Sequence, residues 1–224
     1  MSARAWKVSV GAEETSAVYE PASSGDDVAV FVCAHGAGGS MSDRSTLASA
    51  QALRAHGFGV VRFNFLYKEK GSGRPDPMPK LLPTLAAVVA RTRAEPGGGQ
   101  PLIIGGRSMG GRAASMLAAE GFQADGLLLL AYPLHPPGQP EKLRVTHLAD
   151  ISMPVLAFSG TRDPFCTREL MEQALTTVKT RWDMHWVEGA DHSFHVPKSS
   201  GTTDAAVLAS MAGTGRNWVD RLSV

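Results

Sequence analysis

Apolar and polar positions along this chain alternate between two rhythms. Apolar runs at residues 28–33, 101–105, 126–131 and 155–159 have the length and composition of strands buried on both faces of a sheet, and 60–65 reads as a further strand. Residues 182–187 read as a last strand, and 8–10 and 17–20 as short edge strands of an antiparallel start. Between these runs, apolar positions recur at helical spacing over 45–55, 81–93, 111–118, 168–176 and 203–222. The cluster at 23–27 and Gly97-Gly98-Gly99 read as turns. Strands that alternate with helices predict a mostly parallel, doubly wound α/β sheet. No internal repeat interrupts the pattern, so residues 1–224 are expected to form one domain.

One junction between the two rhythms carries chemistry. The run Pro101-Leu102-Ile103-Ile104-Gly105 leads into Gly106-Arg107-Ser108-Met109-Gly110, and a small-residue helix follows. A buried strand that turns sharply into a helix at a serine flanked by glycines is the nucleophile elbow of the α/β-hydrolase fold. The turn strains the serine backbone, and side chains at the flanking positions would collide with the neighbouring strand and helix. A phosphate-binding glycine turn is the bland alternative, but no lysine follows as in a P-loop.

A serine hydroxyl needs a base within hydrogen-bond reach and a carboxylate to orient that base. In this fold they follow the serine in the order acid, then histidine, on loops at the carboxyl ends of later strands. The loop after 155–159 reads Gly160-Thr161-Arg162-Asp163-Pro164-Phe165, and the loop after 182–187 reads Glu188-Gly189-Ala190-Asp191-His192-Ser193-Phe194-His195. The assignment is Ser108 as nucleophile, Asp163 as orienting acid and His192 as base. Asp163 competes with an N-cap role, His192 with His195, and Asp163 with Asp191 as the acid. Two backbone N–H groups should hold the oxyanion: that of Met109, at a helix start, and that of Ala37 in His35-Gly36-Ala37-Gly38-Gly39, with Gly38 as runner-up. His35 is expected to hold that turn. Asn64, Tyr67 and Lys68 follow a strand and are pocket candidates, with a solvated loop as the equal alternative. Arg107 and Arg112 are expected to make structural ion pairs, with recognition of an acidic substrate as the alternative.

Bulk properties narrow the class. The net charge of +1 gives no general pull toward nucleic acid or an anionic membrane. Two cysteines, Cys33 and Cys166, are too few for a disulfide framework and suit a reducing compartment. No signal peptide or membrane-spanning run is read, so a cytoplasmic location is the expectation. The seven histidines make no metal-binding pattern, and no metal or cofactor is expected. About twenty residues join 126–131 to 155–159, including Tyr132-Pro133-Leu134-His135-Pro136-Pro137-Gly138. That is too short for an inserted cap domain, so an open site is expected.

Four motifs together mark a resemblance: Gly105 to Gly110, Tyr132 to Gly138, Gly160 to Phe165 and Ala190 to Phe194. Over roughly residues 28–200 the chain resembles the small α/β-hydrolase-like family that includes the testis-expressed and KANSL-complex proteins and many bacterial homologues. It is similar more distantly to dienelactone hydrolases, which use a cysteine at the elbow where this chain has Ser108. The resemblance implies a lidless α/β-hydrolase with the triad Ser108, Asp163 and His192, and it implies no particular substrate. The expected activity is that of a serine hydrolase acting on a small-molecule acyl ester or thioester. A peptidase or lactonase would use the same residues, and a non-catalytic interaction module on the same fold is the alternative from another class.

Overall fold

The computed structural model describes residues 2–95 and 99–222. Gly97 and Gly98 of the expected glycine turn lie outside them. Eight strands form one sheet in the order β1-β2-β4-β3-β5-β6-β7-β8. They are β1 (Arg4–Val10), β2 (Glu13–Glu20), β3 (Ala29–Ala34), β4 (Phe58–Phe63), β5 (Leu102–Arg107), β6 (Gly126–Leu130), β7 (Val155–Gly160) and β8 (Trp182–Val187). β1 pairs with β2, and β2 with β4, in antiparallel register; every later pairing is parallel. The helices are α1 (Arg44–Ala55), α2 (Leu66–Glu69), α3 (Met78–Arg93), α4 (Met109–Ala119), α5 (Arg168–Leu175) and α6 (Asp204–Asp220).

The period of two along each strand divides the core between the sheet faces. Val32, Ile104, Leu127, Leu129 and Ala157 meet Leu85, Val88, Ala113 and Met171, from α3, α4 and α5. Phe31, Ile103, Leu128, Leu156 and Phe158 meet Leu53, Met211 and Trp218, from α1 and α6. Both faces of the central strands are covered, which is why their sequences read as unbroken apolar runs.

Some boundaries move from those the pattern predicts. The antiparallel strands β1 and β2 are longer, because exposed polar positions alternate with buried ones such as Trp6, Val8, Ala17 and Tyr19. β4 begins at Phe58 and ends at Phe63. Asn64 leaves the ladder to bond the Met41 N–H and Glu69, and Phe65 becomes the N-cap of the short helix α2, which the pattern did not predict. α3 starts at Met78, with a proline in its first turn, where a missing N–H is harmless. Between β6 and β7 the chain makes a single 3-10 turn, Leu148–Asp150, and no inserted domain.

The chain passes from β3 to β4 on one side, then to β5 on the other. The loops that leave β3 and β5 therefore diverge at neighbouring carboxyl ends, where open α/β sheets form a crevice. Ser108 and residues 35–39 lie on these two loops.

Candidate active site

Ser108 links β5 to α4 with φ 49° and ψ −117°, a strained conformation for a residue with a side chain. Such strain costs of order 1–3 kcal/mol and persists only where the surroundings enforce it. The surroundings here are tight. A Cβ on Gly106 or on Gly110 would collide with the Ala34 carbonyl of β3, and one on Gly105 with the Leu128 carbonyl of β6. The glycines let the elbow press against two neighbouring strands, and this drives the serine outward.

The later loops converge on it. His192 Nε2 lies 2.9 Å from Ser108 Oγ, and His192 Nδ1 lies 2.7 Å from Asp163 Oδ2. Asp163 is buried, and its other oxygen accepts the Phe165 N–H at 2.8 Å. Asp163 therefore caps no helix; Thr167 caps α5. An ionised carboxylate accepts only, so the imidazole must donate from Nδ1. Nε2 then carries a lone pair toward the serine hydroxyl. In this arrangement the hydroxyl proton can pass to the imidazole as Ser108 Oγ attacks a carbonyl carbon.

The competing residues lie elsewhere. His195 is exposed and pairs with Asp204 at 2.9 Å, and this partner raises its pKa. Asp191 accepts the N–H groups of Ser193 and His195 and so shapes the loop that carries His192. Phe194, buried with φ 59°, plugs that loop into the core. Arg107 Nη2 donates to the His192 carbonyl at 2.9 Å, tying the elbow to the histidine loop. The expectation of an ion pair is replaced here by a hydrogen bond to backbone. Burial lowers the Arg107 pKa, while Asp43, Asp191 and Asp163 act against that shift.

The β3 loop is pinned from below. The buried His35 ring holds the Gly36 carbonyl from Nδ1 at 2.8 Å and accepts the Phe65 N–H at Nε2. This fixes a neutral ring, and burial pushes its pKa down accordingly. Asp43, the N-cap of α1, accepts from Ser40 N, Ser45 Oγ and both Thr46 donors. Burial alone would raise its pKa, but these donors together hold it down at about 2.

Two recesses meet at Ser108. One, of about 360 Å³, is lined by His192, Arg107, Asp43 and Gly36. The other, of about 250 Å³, is lined by Met78, Met109, Arg112, Pro133, Pro137 and Arg144. Ala37 and Phe165 border both, whereas Gly38 borders neither. Met109, as the first residue of α4, has an N–H with no intrahelical acceptor. The Ala37 N–H meets no acceptor among the described residues.

Asn64, Tyr67 and Lys68 line neither recess. Asn64 is held by Met41 and Glu69, and Tyr67 is buried against His35 and Phe65. Arg112 does line one, without an ion pair among the described residues, and Arg144 beside it was not anticipated. Its only sequence signal was a cation in the proline-rich connection. Burial pushes the thiols of Cys33 and Cys166 up to about 12, so neither supplies a thiolate near neutral pH. No group of three or more metal-ligating side chains occurs among the described residues. No helix is long and apolar enough to cross a membrane among them.

A family profile described as an alpha/beta hydrolase domain matches residues 27–220. Solved structures share the fold along nearly the whole chain. An α/β serine hydrolase without a lid from Xanthomonas campestris is 21% identical, with a TM-score of 0.76 over 97% of this chain and 95% of its own. A dienelactone hydrolase from Anabaena variabilis is 20% identical, with a TM-score of 0.74 over 98% and 97%. Est1E from Butyrivibrio proteoclasticus is 14% identical, with a TM-score of 0.73 over 97% and 99%.

Proposed function

The chain belongs to the alpha/beta hydrolase domain family, and from that premise we propose that it is a serine hydrolase cleaving small acyl esters or thioesters. The observation that carries this reading is the unbroken chain of hydrogen bonds from Asp163 through His192 to Ser108. Ser108 Oγ attacks the acyl carbonyl as His192 Nε2 takes its proton. The resulting oxyanion is held by the N–H groups of Met109 and Ala37, which point charge-stabilising dipoles where the negative charge develops. His192 returns the proton to the departing alcohol or thiol. Water then attacks the acyl-enzyme with the same histidine as base, and the acid leaves. Asp163 fixes the imidazole tautomer and stabilises the imidazolium that forms in each half-reaction.

The finer placement among the small lidless members rests on the four motifs and on the short connection between β6 and β7. An open site extracts limited binding energy, so short soluble esters are expected to turn over with high KM and little discrimination between neighbouring chain lengths. No rate jump is expected above the solubility limit of a long-chain ester, since no lid has to open.

Kinetics on 4-nitrophenyl esters from acetate to decanoate, and on the matching acyl thioesters, test the reading. Turnover of the short esters that is lost in His192→Ala and retained in His195→Ala supports it. A folded wild type that hydrolyses none of the series, esters and thioesters alike, would contradict it.

A further inference from the structure

We propose that the recess between Arg112 and Arg144 is an anion site, and that the acyl chain delivered to Ser108 ends in a carboxylate. The inference rests on the serine-hydrolase reading above, because that reading fixes which recess receives which part of the substrate. His192 must protonate the leaving group, so the leaving group lies on the side that His192 lines. The other recess shares Ser108, Ala37 and Phe165 with it but not His192, and it receives the acyl chain.

That recess has an apolar wall and a cationic end. Met78, Pro133 and Pro137 suit a few methylenes, while Arg112 and Arg144 bring two guanidinium groups to the same cavity of about 250 Å³. Arg112 Nε is buried with no hydrogen-bond partner. Arg144 makes one long contact from its guanidinium, to the Pro133 carbonyl at 3.4 Å. Neither side chain has a carboxylate within salt-bridge distance among the described residues. Of the other titratable groups beside them, Tyr132 donates its hydroxyl to the Arg144 carbonyl at 2.7 Å, and His147 is engaged with Ser115 at 2.8 Å.

Each feature is unfavourable without a ligand. A buried N–H with no acceptor forfeits its hydration, and two cations in one cavity repel each other. Burial lowers the Arg144 pKa first, and the charge of Arg112 lowers it further, so the two groups sense each other. Elsewhere in this protein the buried Arg62 is paired with Glu20 at 2.6 Å, and the half-buried Arg107 donates to the His192 carbonyl. A carboxylate offsets both costs at the recess, since its two oxygens match the planar donor fork of a guanidinium. The position of Arg112 one helical turn after Ser108, where its N–H bonds the Ser108 carbonyl, sets the anion a short acyl chain away from the reacting carbon.

Two esters with a common leaving group test this: 4-nitrophenyl hexanoate, and the mono-4-nitrophenyl ester of adipic acid, in which a carboxylate replaces the terminal methyl. In the wild type kcat/KM is expected to be about tenfold or more higher for the adipate ester, a magnitude typical of a charge-assisted hydrogen bond. The ratio should fall about tenfold in Arg144→Gln, fall further in Arg112→Gln/Arg144→Gln, and stay at the wild-type value in Arg216→Gln, on the distant helix α6. A wild-type ratio at or below one, with hexanoate still hydrolysed, overturns the anion site and leaves the hydrolase reading standing. So does a ratio that the double variant does not change. Calorimetric titration of Ser108→Ala with monomethyl adipate and with its neutral terminal amide separates the two readings when neither ester is hydrolysed. Tighter binding of the acid, weakened by the arginine substitutions, keeps the anion site and breaks the hydrolase reading; equal binding of acid and amide overturns the anion site.

Discussion

The elbow and its helix carry two serines, and each touches a histidine from a distant loop. Ser108 Oγ lies 2.9 Å from His192 Nε2, and Ser115 Oγ lies 2.8 Å from His147 Nε2. By distance alone the pairs are equivalent, but the proton runs in opposite directions. Ser115 donates its only hydroxyl proton to the Arg112 carbonyl at 2.8 Å, so the His147 ring must donate to it. Ser115 is also fully buried, and burial together with the charge of Arg112 keeps His147 neutral. At Ser108 the carboxylate of Asp163 claims the Nδ1 proton and leaves Nε2 bare. The difference between a structural pair and a catalytic one lies in the third partner and in access, not in the serine–histidine contact.

The largest expected effect that sharpens this contrast is the pair of serine deletions. Ser108→Ala is expected to lower kcat for a short 4-nitrophenyl ester by on the order of 10⁴–10⁶. Ser115→Ala should change it by only about twofold, while costing about 1–3 kcal/mol in urea unfolding because His147 loses its acceptor. A Ser115→Ala variant that unfolds normally yet loses all turnover would reverse the assignment. Next comes the tautomer itself. Asp163→Asn keeps the shape but gives His192 Nδ1 an amide donor, which makes Nε2 the protonated nitrogen. A fall in kcat of about 10⁴ is expected, with KM little altered. A loss of tenfold or less would show that the carboxylate does not set the proton's position.

Positioning effects should be smaller. Arg107→Met removes the tie between the elbow and the His192 carbonyl, and kcat should fall about tenfold with the pH profile unchanged in shape. Asp43 should act on stability. Asp43→Ala is expected to cost about 1 kcal/mol at pH 7 through the lost helix cap. Its folded pKa is depressed from 3.8 to about 2, so the stability it contributes is present above the unfolded value and is lost as pH falls through the folded one. The gap between wild type and Asp43→Ala in chemical unfolding should therefore narrow from pH 4 to pH 2. A gap that widens on acidification would refute the role of those hydrogen bonds.

The parts legible in the sequence were those with short-range causes. Strands β3 and β5 to β7 are buried on both faces and so announce themselves as apolar runs. The elbow glycines are forced by contacts with Ala34 and Leu128, and that need appears as a motif. His192 could be separated from His195 because it follows the turn directly, and the structure places only the former against Ser108. Asn64, Tyr67 and Lys68 stood evenly between pocket and solvated loop, because a strand's carboxyl end in this fold usually feeds the cleft. Here Asn64 turns aside to Glu69, and Tyr67 packs under His35. Arg144 was invisible for the opposite reason. It lies 36 positions beyond Ser108 in a proline-rich connection without periodicity, and only the folding of that connection over α4 brings it beside Arg112. Ser115 and His147 show the same limit, since nothing in their spacing tells which way a proton points.

Covalent capture with a fluorophosphonate, followed by tryptic mapping, tests the central claim most directly. Cleavage after Arg107, Arg112 and Lys142 puts Ser108 and Ser115 on different peptides, 108–112 and 113–142. The account predicts one adduct per chain, on peptide 108–112, absent from Ser108→Ala and still formed by Ser115→Ala. An adduct on peptide 113–142, or a folded wild type that takes up none, would contradict it.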